Sequence, residues 1–326
     1  MISCHSILYI SKFRTEIMGY AILGVMVAHI KTICEFPDTY LNKLLGVLVY
    51  SVFTGGFIFL SGLGLYSSYS NNSNTKEFYI KRIKRLLVPY WLISMPYFIY
   101  TDLIFGGGIF PFAEHILTIS FWFHGNYSGM WYISASVLLY VLYPFLHRII
   151  YNNSSDSYFN CIVMMIIMLF IMILLKRFAI SFYGMTNIAL NNIPLFIIGS
   201  YVMSWMVSGR DSFSIVDLIK VVIMGGLLLC FDDGFWGVIN ITSIWLLGIL
   251  FCYLATKQSM NCLVKIFRWL GRYSLELYII HLLIYYFLNH FIGTFNQGLH
   301  IVIGVVSALI LCSPFQKMTR KLVNKV

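Results

Sequence analysis

Charge is what this sequence has least of. Only 10% of its 326 residues are Asp, Glu, Lys or Arg, where a soluble domain carries roughly 25%. With 60% hydrophobic residues and a mean hydropathy of +0.82, that poverty excludes an ordinary soluble protein. Acidic residues are rarer still, 12 against 22 basic ones. Cysteines number 7 and are dispersed, with no C-x-x-C pair, so neither a disulfide framework nor a metal-ligand spacing is present. No Gly-rich phosphate loop, H-E-x-x-H, G-x-S-x-G or Asp-rich metal motif occurs. No cleavage site follows the first apolar run, so that run is expected to stay as a helix. No metal is expected.

What the chain does have is apolar length. Crossing a bilayer takes about 20 mostly apolar residues, and ten runs qualify. They lie near 15–33, 44–66, 86–105, 131–150, 158–175, 188–206, 214–231, 236–254, 274–291 and 300–316. The expected fold is an all-α membrane protein of about ten transmembrane helices, one domain over 1–326. With the N-terminus cytoplasmic, all of the 22 Lys and Arg except Lys31, Lys43, Lys176 and Arg177 fall in inside segments. That bias has the positive-inside sense and predicts two cytoplasmic termini in a plasma (inner) membrane. The net charge of +10 is then loop charge facing anionic lipid, not a nucleic-acid footprint.

The organising stretch is Phe13 to Lys31, FRTEIMGYAILGVMVAHIK. Arg14 opens it and His29 stands near its far end. Fifteen residues span about 22 Å of helix and leave the two within about 60° of each other. A histidine at membrane depth needs a partner or a task, and an imidazole can act as a base near neutral pH. Both a structural and a catalytic reading stay open. Lys81-Arg82-Ile83-Lys84-Arg85 precedes the third run. It is a topology signal or an anion site, in which Arg82 and Arg85 at i,i+3 clamp a polyphosphate such as the nucleotide end of coenzyme A. Ser274, Tyr278, His281 and Tyr285 form one polar stripe along the ninth run, with Glu276 near its start. Ser61, Gly62 and Gly64 suit close helix packing, and Trp131-Tyr132 suits packing or an interface anchor. The long segment 106–130, with Glu114, His115 and His124, is expected to carry a short helix at the interface or folded back into the bundle. Asp232-Asp233 reads as a solvated turn.

MGYAILGVMVAH, FIFLSGLGLYSS followed by KRIKRLLVPYW, MWYISASVLLYVLYP and GRYSLELYIIHL together resemble the acyltransferase-3 family of integral membrane O-acyltransferases. The resemblance implies transfer of an acyl group, commonly acetyl, from cytoplasmic acyl-CoA to a hydroxyl of an extracytoplasmic glycan or glycolipid. By position it makes His29 the catalytic histidine and Arg82 and Arg85 the donor-binding pair, with His281 a further catalytic candidate. The helix-one arginine of the family falls at Met18 here, and Arg14, one turn earlier, is the substitute. Ser136 stands where many members carry a glutamate. Some members add an esterase-like domain after the helices. With the sequence ending at Val326, a stand-alone member is expected. The competing reading is a transporter or flippase for a lipid-linked sugar, which needs no acyl-CoA. It would be favoured by broken helices in repeated halves, and no internal repeat is visible.

Overall fold

The computed structural model describes residues 5–35, 39–52, 54–125, 129–151, 156–208 and 214–324. Cys4, Arg210 and Lys325 lie outside the described residues. Helices and turns account for the described chain, with no strand among them. In order these are α1 (His5–Lys12), α2 (Arg14–Ile33), α3 (Tyr40–Tyr50), α4 (Thr54–Asn71), α5 (Thr75–Arg82), α6 (Val88–Phe98), α7 (Ile109–Ile116), α8 (Ser120–His124) and α9 (Trp131–Tyr151). They continue with α10 (Ser157–Phe178), α11 (Ile180–Leu190), α12 (Ile193–Val207), α13 (Ile215–Leu228), α14 (Gly234–Thr256), α15 (Asn261–Arg272), α16 (Ser274–Ile292) and α17 (Gln297–Val323).

Among the described residues, 7 helical segments are long and apolar enough to cross a membrane: Arg14–Ile33, Trp131–Tyr151, Ser157–Phe178, Ile180–Val207, Gly234–Thr256, Ser274–Ile292 and Thr294–Val323. Each coincides with one of the ten apolar runs. The other three runs fall on interrupted or shorter helices. The run at 44–66 is divided between α3 and α4, the run at 86–105 is interrupted by a π-helical turn, and that at 214–231 is the 14-residue α13.

One interruption has a local cause. Pro89 has no N–H to give the Arg85 carbonyl, and its ring crowds that oxygen. The helix responds with a π-helical turn over Ile83–Leu87, in which the Val88 N–H reaches five residues back to the Ile83 oxygen. Such turns re-aim the side chains around them and recur at functional sites. Arg82 and Arg85 sit on this joint.

Close packing rests on missing side chains. A Cβ on Gly62 would collide with the Phe196 carbonyl, and one on Gly199 with the Phe59 carbonyl, so α4 and α12 touch backbone to backbone. Gly19 and Gly271 do the same for α2 and α15, against the Phe267 and Thr15 carbonyls. α15 is amphipathic, burying Val264, Leu270 and Gly271 while Lys265 and Arg268 stay exposed. Arg268 closes over the buried Glu16 at 2.6 Å, which satisfies an acid that would otherwise be costly at that depth.

Candidate active site

The basic cluster opens into a cavity of about 330 Å³. α2, α4, α9, α15, α16 and α17 wall it, together with the joint between α5 and α6. Five arginines line it: Arg14, Arg82, Arg85, Arg272 and Arg320. The only acid in its wall is Glu276. Among the described residues none of the five arginines forms an ion pair. Like charges sharing a space raise its energy; an anion placed among them lowers it.

Each arginine of the expected trio is held by a different device. Arg14 lays its guanidinium against Gly64, where any Cβ would overlap it. Gly62 and Gly64, two residues apart in one motif, therefore do different work: one admits a helix and the other admits a charge. Arg82 is buried, with its guanidinium carbon 5.1 Å from the Phe78 ring centroid and 5.7 Å from that of Tyr140. Such cation–π contacts fix the planar group without neutralising it. Arg85 is exposed at the mouth. Arg14 Nε and Arg82 Nε are buried with no hydrogen-bond partner. Two donors left unsatisfied beside one cavity fit an anionic ligand.

At its far end the cavity is bounded by Val25 of α2 and Tyr278 of α16. One helical turn beyond them, on the same two helices, stand His29 and His281. His29 Nδ1 lies 2.9 Å from His281 Nε2, and the rings are offset-stacked with centroids 5.2 Å apart. His281 Nδ1 lies 2.7 Å from the Leu277 carbonyl oxygen. A carbonyl only accepts, so that nitrogen carries the hydrogen. In neutral rings the rest follows: His281 Nε2 accepts, His29 Nδ1–H donates, and His29 Nε2 keeps its lone pair. The histidine pair thus presents one basic nitrogen, oriented through a chain anchored on the backbone.

The polar stripe of α16 is divided. Ser274, Glu276 and Tyr278 line the cavity, His281 meets His29, and Tyr285 is buried further along. Tyr278 also donates from its hydroxyl to the Gly129 carbonyl at 2.6 Å. The segment before α9 is thereby drawn into the bundle, and Trp131 is buried while Tyr132 lines the cavity. In the same segment Glu114 of α7 pairs with His124 of α8 at 2.9 Å, and His115 of α7 pairs with Asp102, in the π-helical turn Ile99–Ile104, at 2.8 Å.

Sequence reasoning missed Arg272 and Arg320 as site residues. Both had an adequate alternative, as positive charges at helix ends. Their proximity to Arg82 depends on how α15–α17 pack, which no local pattern encodes.

A family model described as an acyltransferase domain matches residues 19–316. The chain belongs to the acyltransferase-3 family. No curated protein and no solved structure matches it. His29, Arg82, Arg85 and His281 fall within the residues matched to the acyltransferase-3 model, and Arg14 precedes them. Membership makes acyl transfer the chemistry expected of this chain. No group of three or more His, Cys, Asp or Glu suited to a metal occurs among the described residues of this acyltransferase.

Proposed function

We propose that this acyltransferase moves an acyl group, acetyl above all, from cytoplasmic acyl-CoA to a hydroxyl of an extracytoplasmic glycan or glycolipid, in the plasma membrane with both termini inside. The observation that carries the donor is the cavity of five arginines without ion pairs, two of them with an unpartnered buried Nε. Coenzyme A brings phosphates that match those donors and a thioester on a flexible arm. Arg82 and Arg85 hold the phosphates at the mouth. Arg14, deeper in, replaces the family arginine that Met18 cannot supply.

The thioester then reaches toward Val25 and Tyr278, within a turn of His29. His29 Nε2 takes the proton of the acceptor hydroxyl as its oxygen attacks the thioester carbonyl. The carbon–sulfur bond breaks, the ester forms, and the coenzyme A thiolate leaves with its proton restored from the imidazolium. His281 touches neither reactant here. It is a positioning residue that fixes the His29 tautomer. General-base help of this kind contributes about 10²–10⁴-fold.

The test uses membranes containing the full chain, incubated with labelled acetyl-CoA. The wild type is expected to label a surface glycan or glycolipid fraction. His29→Ala should insert normally, bind coenzyme A normally and lose about 10²–10⁴-fold in transfer. A His29→Ala variant with wild-type transfer would remove the base from the mechanism.

A further inference from the structure

A second cleft, of about 400 Å³, lies against the far half of the bundle, where α4 begins, α11 meets α12 and α14 begins. Its polar lining is built from amides: Asn191, Asn192 and Asn240, with Asp233 and Thr54. No Lys or Arg is in its wall, so it does not suit an anion. The three amide NH₂ groups are all turned inward on the protein. Asn192 Nδ2 donates to the Ile188 carbonyl at 2.7 Å, Asn240 Nδ2 to the Trp236 carbonyl at 2.6 Å, and Asn191 Nδ2 to Asp233 at 3.3 Å. Asn191 Oδ1 accepts from the Tyr183 hydroxyl at 3.3 Å, which leaves the Asn192 and Asn240 oxygens as the amide acceptors of the wall.

Asn240 is the decisive residue. It is 4% exposed, and its Oδ1 is buried with no hydrogen-bond partner. A buried amide oxygen without a donor is costly, unless something that visits the site supplies one. The backbone leaves room for that visitor. A Cβ on Gly55 would stand 2.8 Å from Asn192 Oδ1 and 3.1 Å from Asn240 Oδ1, so only glycine keeps both oxygens clear. Beside them the Tyr50 and Trp236 rings lie 6.1 Å apart, and Trp236 is 38% exposed. Acceptor oxygens beside an open aromatic face suit a neutral ligand rich in O–H donors, with one apolar face. A sugar has that chemistry.

We infer that this amide-lined cleft binds the hydroxyl-bearing sugar that receives the acyl group. Resting on the acyltransferase reading above, the inference adds the acceptor's place. Thr54 connects the two, since it lines both the arginine cavity and the amide cleft. A sugar hydroxyl placed at Thr54 meets the donor cavity from the opposite side.

The experiment follows transfer from labelled acetyl-CoA to the glycan already present in the membranes. Alongside, coenzyme A affinity is measured by calorimetry on each detergent-purified full-length variant. Asn240→Leu and Trp236→Leu are each expected to cut transfer at least tenfold while coenzyme A affinity stays within twofold of wild type. Trp236→Phe keeps a flat ring and should retain at least a third of the transfer. Asn240→Leu and Trp236→Leu transferring within twofold of wild type would overturn the cleft as acceptor site. So would a loss of transfer matched by an equal loss of coenzyme A affinity. Wild-type membranes that transfer nothing would remove the donor reading and the acceptor site with it. Wild-type transfer with unaffected variants would remove the acceptor site alone.

Discussion

The two cavities of this bundle are opposites in chemistry. One gathers five arginines and, among the described residues, leaves the Nε donors of Arg14 and Arg82 unanswered. The other turns its amide donors onto the protein and, among the described residues, leaves the buried Asn240 oxygen without a donor. The first asks for negative charge, the second for neutral hydroxyls. A single cavity with both linings would let arginine and carboxamide satisfy each other and bind neither substrate. Separation keeps each set unsatisfied and therefore selective. The histidine pair stands a turn beyond the arginine cavity, past Val25 and Tyr278.

The contrast can be broken from the charged side first. Hydrogen bonds to a charged partner contribute about 1.5–3 kcal/mol each, so Arg82→Ala should weaken coenzyme A binding by about ten- to a hundredfold. The effect should shrink in high salt, and it is read by calorimetry at two ionic strengths. A salt-independent change would reduce Arg82 to a packing residue between Phe78 and Tyr140. Gly64→Ala is subtler. The new methyl displaces the Arg14 guanidinium, the mobile end of a long side chain, so the fold itself is little disturbed. Coenzyme A affinity should fall severalfold. Thermal stability should hold or rise, since alanine favours helix over glycine by about 0.5–1 kcal/mol. A loss of stability without loss of affinity would contradict the role given to Arg14.

The smallest effect is at the edge of the amide cleft. Asp232 accepts from Lys176 Nζ at 2.6 Å and from the Tyr183 hydroxyl. The lysine first, then the tyrosine, hold its carboxyl below the usual carboxylate range. A depressed folded pKa adds stability above the unfolded value of about 3.9, and that stability fades as pH falls through the folded value. Asp232→Asn should therefore lower the melting temperature slightly at neutral pH, equivalent to about 0.2–1 kcal/mol for so exposed a pair. Wild type and variant should converge below about pH 4. A gap that persists in acid would assign the loss to packing instead of charge.

Much of the bundle was legible because membrane helices announce themselves by apolar length, and seven of the ten runs coincide with long apolar helices. The basic joint was legible as charge, since Lys81 to Arg85 stands out in a chain this poor in it. Its geometry was not, because the π-helical turn is a negotiation between Pro89 and the Arg85 carbonyl. The amide cleft left almost no trace. Asn191 and Asn192 lie in the turn between α11 and α12 and Trp236 and Asn240 on α14, and the packing of α4 against α12 and α14 is what assembles them. Asp232-Asp233, read as a solvated turn, proved divided. Asp232 forms the ion pair, while Asp233 takes a left-handed backbone conformation and joins the cleft wall. The histidines were visible individually, at positions 29 and 281. That they form one unit could be learned only from the fold.

The shared wall at Thr54 sets the protein a problem that neither substrate poses. A bundle hollowed from two sides is close to being a pore, and a membrane that conducts protons loses its potential. Fixed guanidinium charge at one mouth repels protons and metal cations from that side. The same five arginines that draw in a polyanion thus act as a cation barrier. On the donor and acceptor sites proposed above, a chemistry reached from both sides of the membrane would in this way be kept from short-circuiting it.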